Sequence, residues 1–516
     1  MKKSILLLAV MAAVLCLSSC KKEENGKVLF KATIENPAQQ SKTSIASNGM
    51  MTWRSGDRIV VFYGTSATSM TGQSLLSTTS TGRTAEFTLA LGNEPTGGHY
   101  YAVYPASIAG MIYHNTINLP AAQEYHAAES GKVQFEAPMY AYSNDDQLVF
   151  KNLCGVVRIT LTSPKTINRI AISANEPLCG QFTVSWNGGE PSLATTSTEG
   201  TEVEFTCGIG VDCTEGTDFY LYLPVNEVGY TGMEFAFYAT DGTYSTKTLK
   251  DDQRYVVGRN TLNPLVFSNL VFRPVGAIDG LFSVSATQQV YFSQGNLQYQ
   301  ASTTTWRFAE QQYDYVGADN ENISSTYSGW IDLFGFGTGS NPTLSTTTAN
   351  PDYSTFVDWG TNAIDNGGNQ SSLWRTLDVD EWSYLFYTRT DASLKYGTGN
   401  VGGLGGLIIL PDSWTTPDGC SFTPGFTTYG TDADWSRNSY NSAQWDRMEA
   451  AGAVFLPAAG SRDQYGYYHN GRGCYWSSTH YGGGAAGCVT FASYRFWPFD
   501  YWDGSEGHSV RLVRNN

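Results

Sequence analysis

An unusual density of aromatic side chains marks positions 494–504, which read YRFWPFDYWDG, close to the C-terminus. Six of the first nine residues are aromatic, and Tyr and Trp anchor binding sites because they offer a large rigid area with a polar handle. Pro498 and Gly504 are typical of a loop rather than of a central strand, and a loop cannot easily bury so many rings. The stretch therefore predicts a loop that contacts a ligand, with the alternative that Phe496 and Trp497 belong to the core.

The neighbouring loop, in which Tyr481 precedes the glycines at 482–484, extends this predicted contact surface. No Ser-His-Asp arrangement is readable in the chain, so we predict no catalytic residue. The candidate ligand-binding residues are Tyr481, Tyr494, Phe496, Trp497, Phe499, Tyr501, Trp502 and Asp503.

All cysteines except Cys16 and Cys20 lie in the body of the chain, at positions 154, 179, 207, 213, 420, 474 and 488. They can pair outside the cytoplasm, although their odd number leaves at least one free or joined to another chain. Cys474 and Cys488 flank a short Gly-rich connection, so two antiparallel strands could set them opposite one another as a disulfide; otherwise they are two unpaired thiols. No CxxC occurs, and the spacings are unlike those of a zinc site.

The remaining patterns suggestive of a cofactor are weak. GTGNVG at 397–402 matches GxGxxG, but the strand-like run LIIL follows it where a dinucleotide site needs a helix, so we expect a loop. The six histidines include no HExxH motif. Asp432 and Asp434 could supply oxygens to Ca²⁺, but neither an EF-hand nor the triplet of calcium-dependent lectins is present. We therefore predict no metal site and no cofactor, and leave a structural calcium open.

The composition is typical of an extracellular β-rich protein. Charged residues make up 15% of the chain, which is well below the usual share, and Gly is frequent at 54 residues. The net charge of −16 argues against nucleic acid as a partner, because nucleic acid is bound by basic patches.

The N-terminus predicts export and a lipid anchor. Two lysines precede an apolar run that is too short to span a bilayer and is typical of a signal peptide. Residues 17–20, LSSC, match the bacterial lipobox, in which Cys20 becomes the lipidated N-terminus. We predict a signal peptide at 1–19 and a lipidated tether at 20–27. Acyl chains would then hold the protein at the outer membrane, facing outward from the cell surface.

The regions that follow are predicted to be rich in β-strands. Short alternating runs, such as RIVVFY at 58–63, are separated by Gly, Asn, Ser and Pro, which is the pattern of a β-sandwich. Residues 28–161 are expected to form one sandwich and residues 162–267 a second. Residues 268–279 are the predicted linker to a third domain, 280–516, which is richer in Trp, Tyr and Gly.

Two helices are predicted in the third domain. In LDVDEWSYLFYTR, Asp378 caps a helix together with Glu381 at the N3 position, and the following apolar residues share one face. In NSAQWDRMEAAG, Asn441 and Gln444 take the same roles, and Gly452 suits the end of the helix.

Six motifs in the first half of the chain carry a family resemblance. In this order, FKATIEN, MTWRSGDRIVVFYG, YYAVYPAS, INLPAAQEYH, LVFKNLCGVVRITL and YLYLPVNE resemble the fimbrillin-like lipoproteins of Bacteroidota. The resemblance implies two tandem transthyretin-like β-sandwiches. It also implies a place in or near fimbriae, where subunits join by donating a strand to a neighbour's groove. It further implies that Trp53 and the turn at Gly56-Asp57 are structural.

A second resemblance covers the other half of the chain. VYFSQGNLQY, WRTLDVDEWSYLF, GAVFLPAAGSRD, YWSST and GHSVRLVR resemble the Fibrobacter-type major paralogous domain. That group shares the C-type-lectin-like architecture with formylglycine-generating enzymes and with the variable proteins of diversity-generating retroelements. The resemblance implies two helices flanking a small sheet, with the SVRLVR strand beside the first strands of the domain. In the variable proteins, side chains just before the closing strand contact the ligand, which favours the aromatic stretch as the binding region.

The predicted fold class is therefore mainly β, with two tandem transthyretin-like β-sandwiches followed by an α+β C-type-lectin-like domain. The predicted function is that of a non-enzymatic surface lipoprotein, either an adhesin or a fimbrial tip or accessory protein. Its lectin-like domain would bind a glycan or a host or bacterial surface protein, and other fimbrial subunits could join it by donor-strand exchange. Three alternatives stay open: a structural fimbrial subunit without a ligand, a receptor diversified by a retroelement, and an enzyme of the formylglycine-generating type.

Overall fold

The structure is a computed structural model of the chain. It describes residues 27–35, 52–66, 69–90, 99–110, 112–126, 136–249, 253–344, 353, 355–426, 434–469 and 471–516. The predicted signal peptide, the lipobox with Cys20, and Asp432 lie outside the described residues. The chain splits into two compact units, of which the first comprises residues 1–240 and 245–270 and the second comprises residues 241–244 and 271–516.

The strands before residue 271 are short, and many alternate between buried and exposed residues. They are β1 (Lys27–Ile34), β2 (Arg58–Ser66), β3 (Ser69–Thr81), β4 (Thr84–Ala90), β5 (His99–Tyr104), β6 (Thr116–Leu119), β7 (Ala122–Glu124), β8 (Met139–Ser143), β9 (Gln147–Asn152), β10 (Cys154–Leu161), β11 (Ile167–Ser173), β12 (Cys179–Asn187), β13 (Glu190–Gly200), β14 (Glu202–Val211), β15 (Thr217–Pro224), β16 (Asn226–Tyr230), β17 (Glu234–Ala239), β18 (Thr243–Thr248), β19 (Tyr255–Val257) and β20 (Leu262–Phe267).

The rest of the chain has shorter strands and the two helices. These elements are β21 (Arg273–Pro274), β22 (Phe282–Ser283), β23 (Gln289–Phe292), β24 (Leu297–Gln300), β25 (Thr305–Phe308), β26 (Trp330–Ile331), α1 (Val379–Ser383), β27 (Tyr396–Val401), β28 (Leu404–Ile409), β29 (Ser439–Tyr440), α2 (Ser442–Ala450), β30 (Val454–Pro457), β31 (Ser461–Asp463), β32 (Gly466–Tyr468), β33 (Arg472–Gly482), β34 (Ala485–Ala492), β35 (Arg495–Asp503) and β36 (Val513–Asn515). The predicted mainly-β fold class is confirmed.

Strands of the first unit, hydrogen-bonded in the order β1-β4-β3-β2-β5-β8-β9, close into a barrel. The ring closes at β1, which pairs antiparallel with β4 and parallel with β9. Trp53 lies in the barrel core and makes edge-to-face contacts with Phe87, Tyr104 and Phe150. The Tyr104 hydroxyl donates a hydrogen bond to the buried carboxylate of Asp57 at 3.2 Å. Trp53 and Asp57 are therefore structural.

The remaining strands of the first unit form smaller sheets. Their orders are β15-β10-β20 and β13-β12-β6, while β16 pairs with β19, and β17, β11, β14 and β7 lie side by side. Most pairs are antiparallel, but β20 runs parallel to β10 and β7 runs parallel to β14.

The described part of the second unit contains the sheets β22-β23-β36, β25-β24-β26, β29-β27-β28-β30, β31-β32 and β33-β34-β35. The closing strand β36 pairs antiparallel with β23, near the start of the unit, as predicted. The expected loop at 397–402 is wrong, because residues 397–401 belong to β27, which forms a hairpin with β28; only Gly402 lies in the turn. Gly399 is required by close packing rather than by a phosphate, since a Cβ there would lie 2.6 Å from the Asn438 carbonyl oxygen.

Both predicted capping boxes are present. The Asp378 side chain accepts a hydrogen bond from the backbone N–H of Glu381, and the backbone N–H of Asp378 donates to the Glu381 carboxylate. Asn441 and Gln444 make the same pair of bonds at α2. After α1 the chain continues as a π-helical turn, Tyr384–Thr388, a form often found at functional sites. Among the described residues, no helix is long and apolar enough to cross a membrane.

The sheet β33-β34-β35 lies between two apolar clusters. On one face, Phe491 packs with Trp382 of α1, and on the other face Trp476 packs with Leu512. All four side chains are at most 1% exposed, and burying each such side chain contributes about 1.5–3 kcal/mol. The sheet is thus a rigid support for whatever its outer strand carries.

Candidate functional site

The aromatic stretch is a strand, so the prediction of a loop is wrong. Residues 495–503 form β35, which pairs antiparallel with β34 from Ala492↔Arg495 to Ala485↔Asp503. Pro498 fits because β35 is the outer strand of its sheet, where a missing N–H costs no ladder hydrogen bond. It also lies at a bulge. Between the pairs Thr490↔Trp497 and Cys488↔Asp500, two residues of β35 face one residue of β34.

This bulge changes which aromatic rings share a face of the sheet. Phe496 pairs with Phe491 and Tyr501 pairs with Gly487, which places both on the face that packs against α1. Trp497 pairs with Thr490, and Trp502 pairs with Ala486, on the opposite face. An unbroken strand would have placed Trp497, Phe499 and Tyr501 on one face, because side chains alternate with a period of two.

Four exposed rings lie on the α1 side as two contacting pairs, which we together call the aromatic patch: Tyr387 with Phe499, and Tyr481 with Tyr501. The rings of Tyr387 and Phe499 stack, with centroids 5.6 Å apart and planes 20° apart. The rings of Tyr481 and Tyr501 meet edge to face at 6.3 Å. The exposed fractions of the four residues run from 47% to 66%, so each is accessible to a ligand. Large apolar surface that stays exposed on a folded protein commonly marks a binding site.

Two local features build the patch. The π-helical turn after α1 carries Tyr387 on its exposed side while the preceding Phe386 is buried in the core. Tyr481 lies over Gly487, where an added Cβ would come within 3.1 Å of Tyr481 Cε2 and 2.7 Å of Val379 Cγ1. A glycine at this position therefore allows Tyr481 to approach the sheet.

Phe496 and Trp502 anchor the strand instead of facing solvent. Phe496 is half-buried and contacts the rings of Phe386, Tyr396 and Phe426, with centroids between 4.6 and 5.4 Å away. Trp502 packs against the second apolar cluster. Of the alternative that Phe496 and Trp497 belong to the core, the part that concerns Phe496 agrees with this packing, whereas Trp497 is exposed.

Trp497 is 36% exposed but does not join the aromatic patch. The guanidinium of Arg495 lies 5.6 Å from the Trp497 ring and 4.6 Å from the Tyr494 ring. Such cation–π contacts contribute about 0.5–1 kcal/mol at exposed sites. Trp497, Arg495 and Tyr494 are thus a separate small group on the other side of the strand.

Asp503 shapes the turn that ends β35. Its carboxylate accepts a hydrogen bond from the backbone N–H of Ser505 at 2.9 Å, and its carbonyl oxygen accepts one from the backbone N–H of Glu506. The nearby carboxylate of Asp500 accepts a hydrogen bond from Trp502 Nε1 at 3.2 Å. Both acidic residues therefore hold the strand in place.

Cys474 and Cys488 are free, buried thiols, and the predicted disulfide is not formed in this structure. The register pairs Cys474 with Thr490 and Cys488 with Trp476, so the two cysteines are diagonal rather than opposite. The Thr490 hydroxyl lies between them, 4.0 Å from Cys474 Sγ and 3.6 Å from Cys488 Sγ. Burial raises the pKa of Cys474 to about 12 and also raises the pKa of Cys488. Both thiols are therefore protonated at physiological pH, which is unfavourable for thiolate chemistry.

Among the described residues, no group of three or more His, Cys, Asp or Glu side chains could hold a metal ion. Of the predicted binding residues, the structure brings Tyr481, Phe499 and Tyr501 together. Sequence reasoning missed Tyr387. The signal for it was its position directly after the buried Phe386 in the predicted helix, which places it near the edge of the buried face.

No family model and no curated protein matches the chain. Solved structures similar to it include three proteins named for cell adhesion or for fimbriae. The first is a candidate cell adhesion protein of Bacteroides ovatus, which is 12% identical, covers 49% of this chain and 96% of its own, and has a TM-score of 0.30. The second is the C-terminally truncated tip fimbrial protein Mfa3 of Porphyromonas gingivalis, which is 12% identical, covers 48% of this chain and 98% of its own, and has a TM-score of 0.26. The third is a fimbrial protein of Bacteroides ovatus, which is 12% identical, covers 95% of this chain and 99% of its own, and has a TM-score of 0.24. TM-scores this low do not establish a shared fold or a shared function.

Proposed function

We propose that this protein is a cell-surface adhesin whose second unit binds its ligand through the aromatic patch. The single observation that carries the proposal is four half-exposed rings, from three separate chain segments, held side by side on a well-packed sheet. The hydrophobic effect opposes such exposure, so a ligand that covers the rings would recover the lost free energy.

The proposal includes the surface location and the organisation inferred from sequence. Lipidation at Cys20 would tether the chain to the outer membrane, and the fimbrillin-like domains would present a C-type-lectin-like domain outward. The ligand would be a glycan, whose sugar faces stack on Tyr and Phe rings, or a surface protein. A place as a fimbrial tip or accessory subunit fits the same architecture, with other subunits joined by strand donation.

Catalysis of the formylglycine-generating type is less well supported. That chemistry needs reactive thiols, whereas both Cys474 and Cys488 are buried and their pKa values are raised by burial. A thiol of this kind is inert toward a substrate in solution.

The test is a binding screen with the chain from residue 21 onward, against glycan and extracellular-matrix arrays. For any ligand found, the double substitution Tyr387→Ala and Phe499→Ala removes the stacked pair of the patch. We expect at least a tenfold loss of affinity, because aromatic residues at the centre of an interface often contribute 2 kcal/mol or more. Near-ultraviolet circular dichroism should show that the fold is retained.

Two matched controls remove exposed rings outside the patch. Tyr465→Ala deletes a tyrosine that is 80% exposed, and Trp497→Ala deletes the ring on the opposite face of β35. Both should bind within about twofold of the parent protein, since peripheral contacts are energetically near neutral. Equal losses for control and patch variants would contradict the proposed site. Recovery of the chain only in purified filaments, with no ligand, would instead favour a structural subunit.

A further inference from the structure

The turn after β35 brings an acidic side chain against a completely buried histidine. His508 is 0% exposed, and its Nδ1 lies 3.0 Å from the carbonyl oxygen of Gly507. A carbonyl oxygen can only accept a hydrogen bond, so Nδ1 must carry the proton. In the neutral ring, Nε2 is then an acceptor that requires a donor.

No hydrogen-bond donor reaches this Nε2 within the part of the chain that the structure describes. Oε2 of Glu506 lies 4.0 Å away. If Glu506 were ionised, two acceptors would face each other. The carboxylate of Glu506, whose side chain is 23% exposed, could still accept hydrogen bonds from water, but the buried Nε2 of His508 would lack a donor. A protonated carboxyl group would instead donate to Nε2 after closing the gap by about an ångström.

The surroundings of His508 keep its ring neutral. Burial, and then the positive charge of Arg462 on β31, lower the pKa of His508 to about 3. The Trp476 ring, with its centroid 4.4 Å away, covers the imidazole. An imidazolium here would lose its hydration without gaining an adequate partner.

The surroundings of Glu506 favour its protonated form. Burial, followed by the negative charges of Asp463 and Asp503, raises the pKa of Glu506 to about 7. The thiols of Cys474 and Cys488 are in the same neighbourhood, and burial keeps them uncharged. Below about pH 7 the proton of this pair therefore resides on the carboxyl group of Glu506.

We propose that the protonated carboxyl of Glu506 donates a hydrogen bond to Nε2 of His508, an interaction that we call the latch. Loss of this proton above neutral pH removes the hydrogen bond and loosens the turn. The turn joins β35 to the segment that leads to the closing strand β36. In this segment, His508 and Phe334 exchange backbone hydrogen bonds, and so do Gly507 and Arg462. The latch requires no ligand, so it stands independently of the proposed function.

Nitrogen NMR of the intact protein, labelled with ¹⁵N-histidine, tests the latch directly. At pH 6, Nε2 of His508 should show the shift of a hydrogen-bond acceptor on a neutral ring. This shift should change with a midpoint near pH 7 as the pH is raised to 9. Glu506→Gln keeps a donor at every pH, so its Nε2 signal should stay hydrogen-bonded throughout, whereas Glu506→Ala should lack that bond at both ends of the range. An Nε2 signal that is independent of pH in the parent protein would overturn the proposal.

Thermal unfolding provides a second readout. Because the folded pKa of Glu506 lies above its unfolded value, the stability that the proton provides is lost as the pH rises through about 7. Between pH 5 and 8, a range that spans most of the interval between the unfolded pKa of 4.5 and the folded pKa of about 7, the melting temperature of the parent protein should fall by a few degrees more than that of Glu506→Gln. Glu310→Gln, at a side chain that is 78% exposed, should follow the parent protein. Parallel curves for the parent protein and Glu506→Gln would refute the latch.

Discussion

The substitution Gly487→Ala tests how the sheet positions the aromatic patch. Gly487 lies on β34 opposite Tyr501, and an added Cβ would lie 2.7 Å from Val379 Cγ1, 2.9 Å from Ser477 Oγ and 3.1 Å from Tyr481 Cε2. Ordinary carbon–carbon contacts are about 3.5–4.0 Å. The methyl group must therefore displace α1, Tyr481 or both.

The expected cost follows from two opposing effects. Overpacking a well-packed site typically costs about 1–3 kcal/mol, while replacing Gly by Ala within a strand recovers about 0.5–1 kcal/mol of chain entropy. The net expectation is a destabilisation of about 1–2 kcal/mol, which corresponds to roughly a tenfold increase in the unfolding constant. Because Tyr481 moves, affinity for a ligand of the patch should also fall.

Urea unfolding followed by tryptophan fluorescence measures this change in the second unit, because all tryptophans except Trp53 and Trp186 lie there. The midpoint should fall without a change in the slope of the transition. The double variant Gly487→Ala with Val379→Ala removes the closest clash, so the two substitutions should couple by about 0.5–1 kcal/mol.

Two results would refute this reasoning. One is a Gly487→Ala protein that is as stable as the parent protein. The other is strict additivity of the Gly487→Ala and Val379→Ala effects, because residues that do not touch show no coupling. Unchanged ligand affinity with the expected loss of stability would show that Tyr481 does not contribute to binding.

Three further predictions concern other parts of the second unit. Asp378→Ala removes the carboxylate that accepts a hydrogen bond from the backbone N–H of Glu381 at the start of α1, so the urea midpoint should drop by the equivalent of about 1 kcal/mol; an unchanged midpoint would contradict the capping role. Burial raises the pKa of Asp332 to about 6. The stability that its proton provides, up to about 3 kcal/mol, is therefore lost as the pH rises from about 4 to 6. Asp332→Asn should flatten the dependence of stability on pH over this range. Cys474 and Cys488 should react with an aromatic disulfide reagent at least 100-fold more slowly in the folded protein than in the denatured protein. Rapid labelling of the folded protein would show that the thiols are accessible.

Several features were predictable because they depend on residues that are close in the sequence. The cap at Asp378 reaches three residues along the chain, as does the cap at Asn441, and both are present. Alternating apolar residues predicted the strands, because a strand that buries one face must repeat with a period of two. The pairing of β36 with β23 was inferred from family resemblance and is confirmed by the register.

The prediction of a loop at 494–504, where the structure has the strand β35, failed for a physical reason. Proline is unfavourable in a central strand, but β35 is an outer strand with a bulge, and such a position tolerates it. Aromatic residues are common in strands, so their clustering did not argue for a loop. Whether a strand is central or at an edge depends on its neighbours in space. The sequence of β35 alone contains no information about them.

The sequence by itself determined that aromatic residues concentrate near the C-terminus and that the chain is mainly β, because composition and short-range periodicity express these properties. Only the tertiary structure decided which rings act together. The bulge turns Trp497 away from Phe499, and the π-helical turn brings Tyr387, more than a hundred positions earlier in the chain, into stacking contact with Phe499. A binding surface assembled from distant segments depends on sheet register and packing, and these are set by contacts that no local pattern encodes.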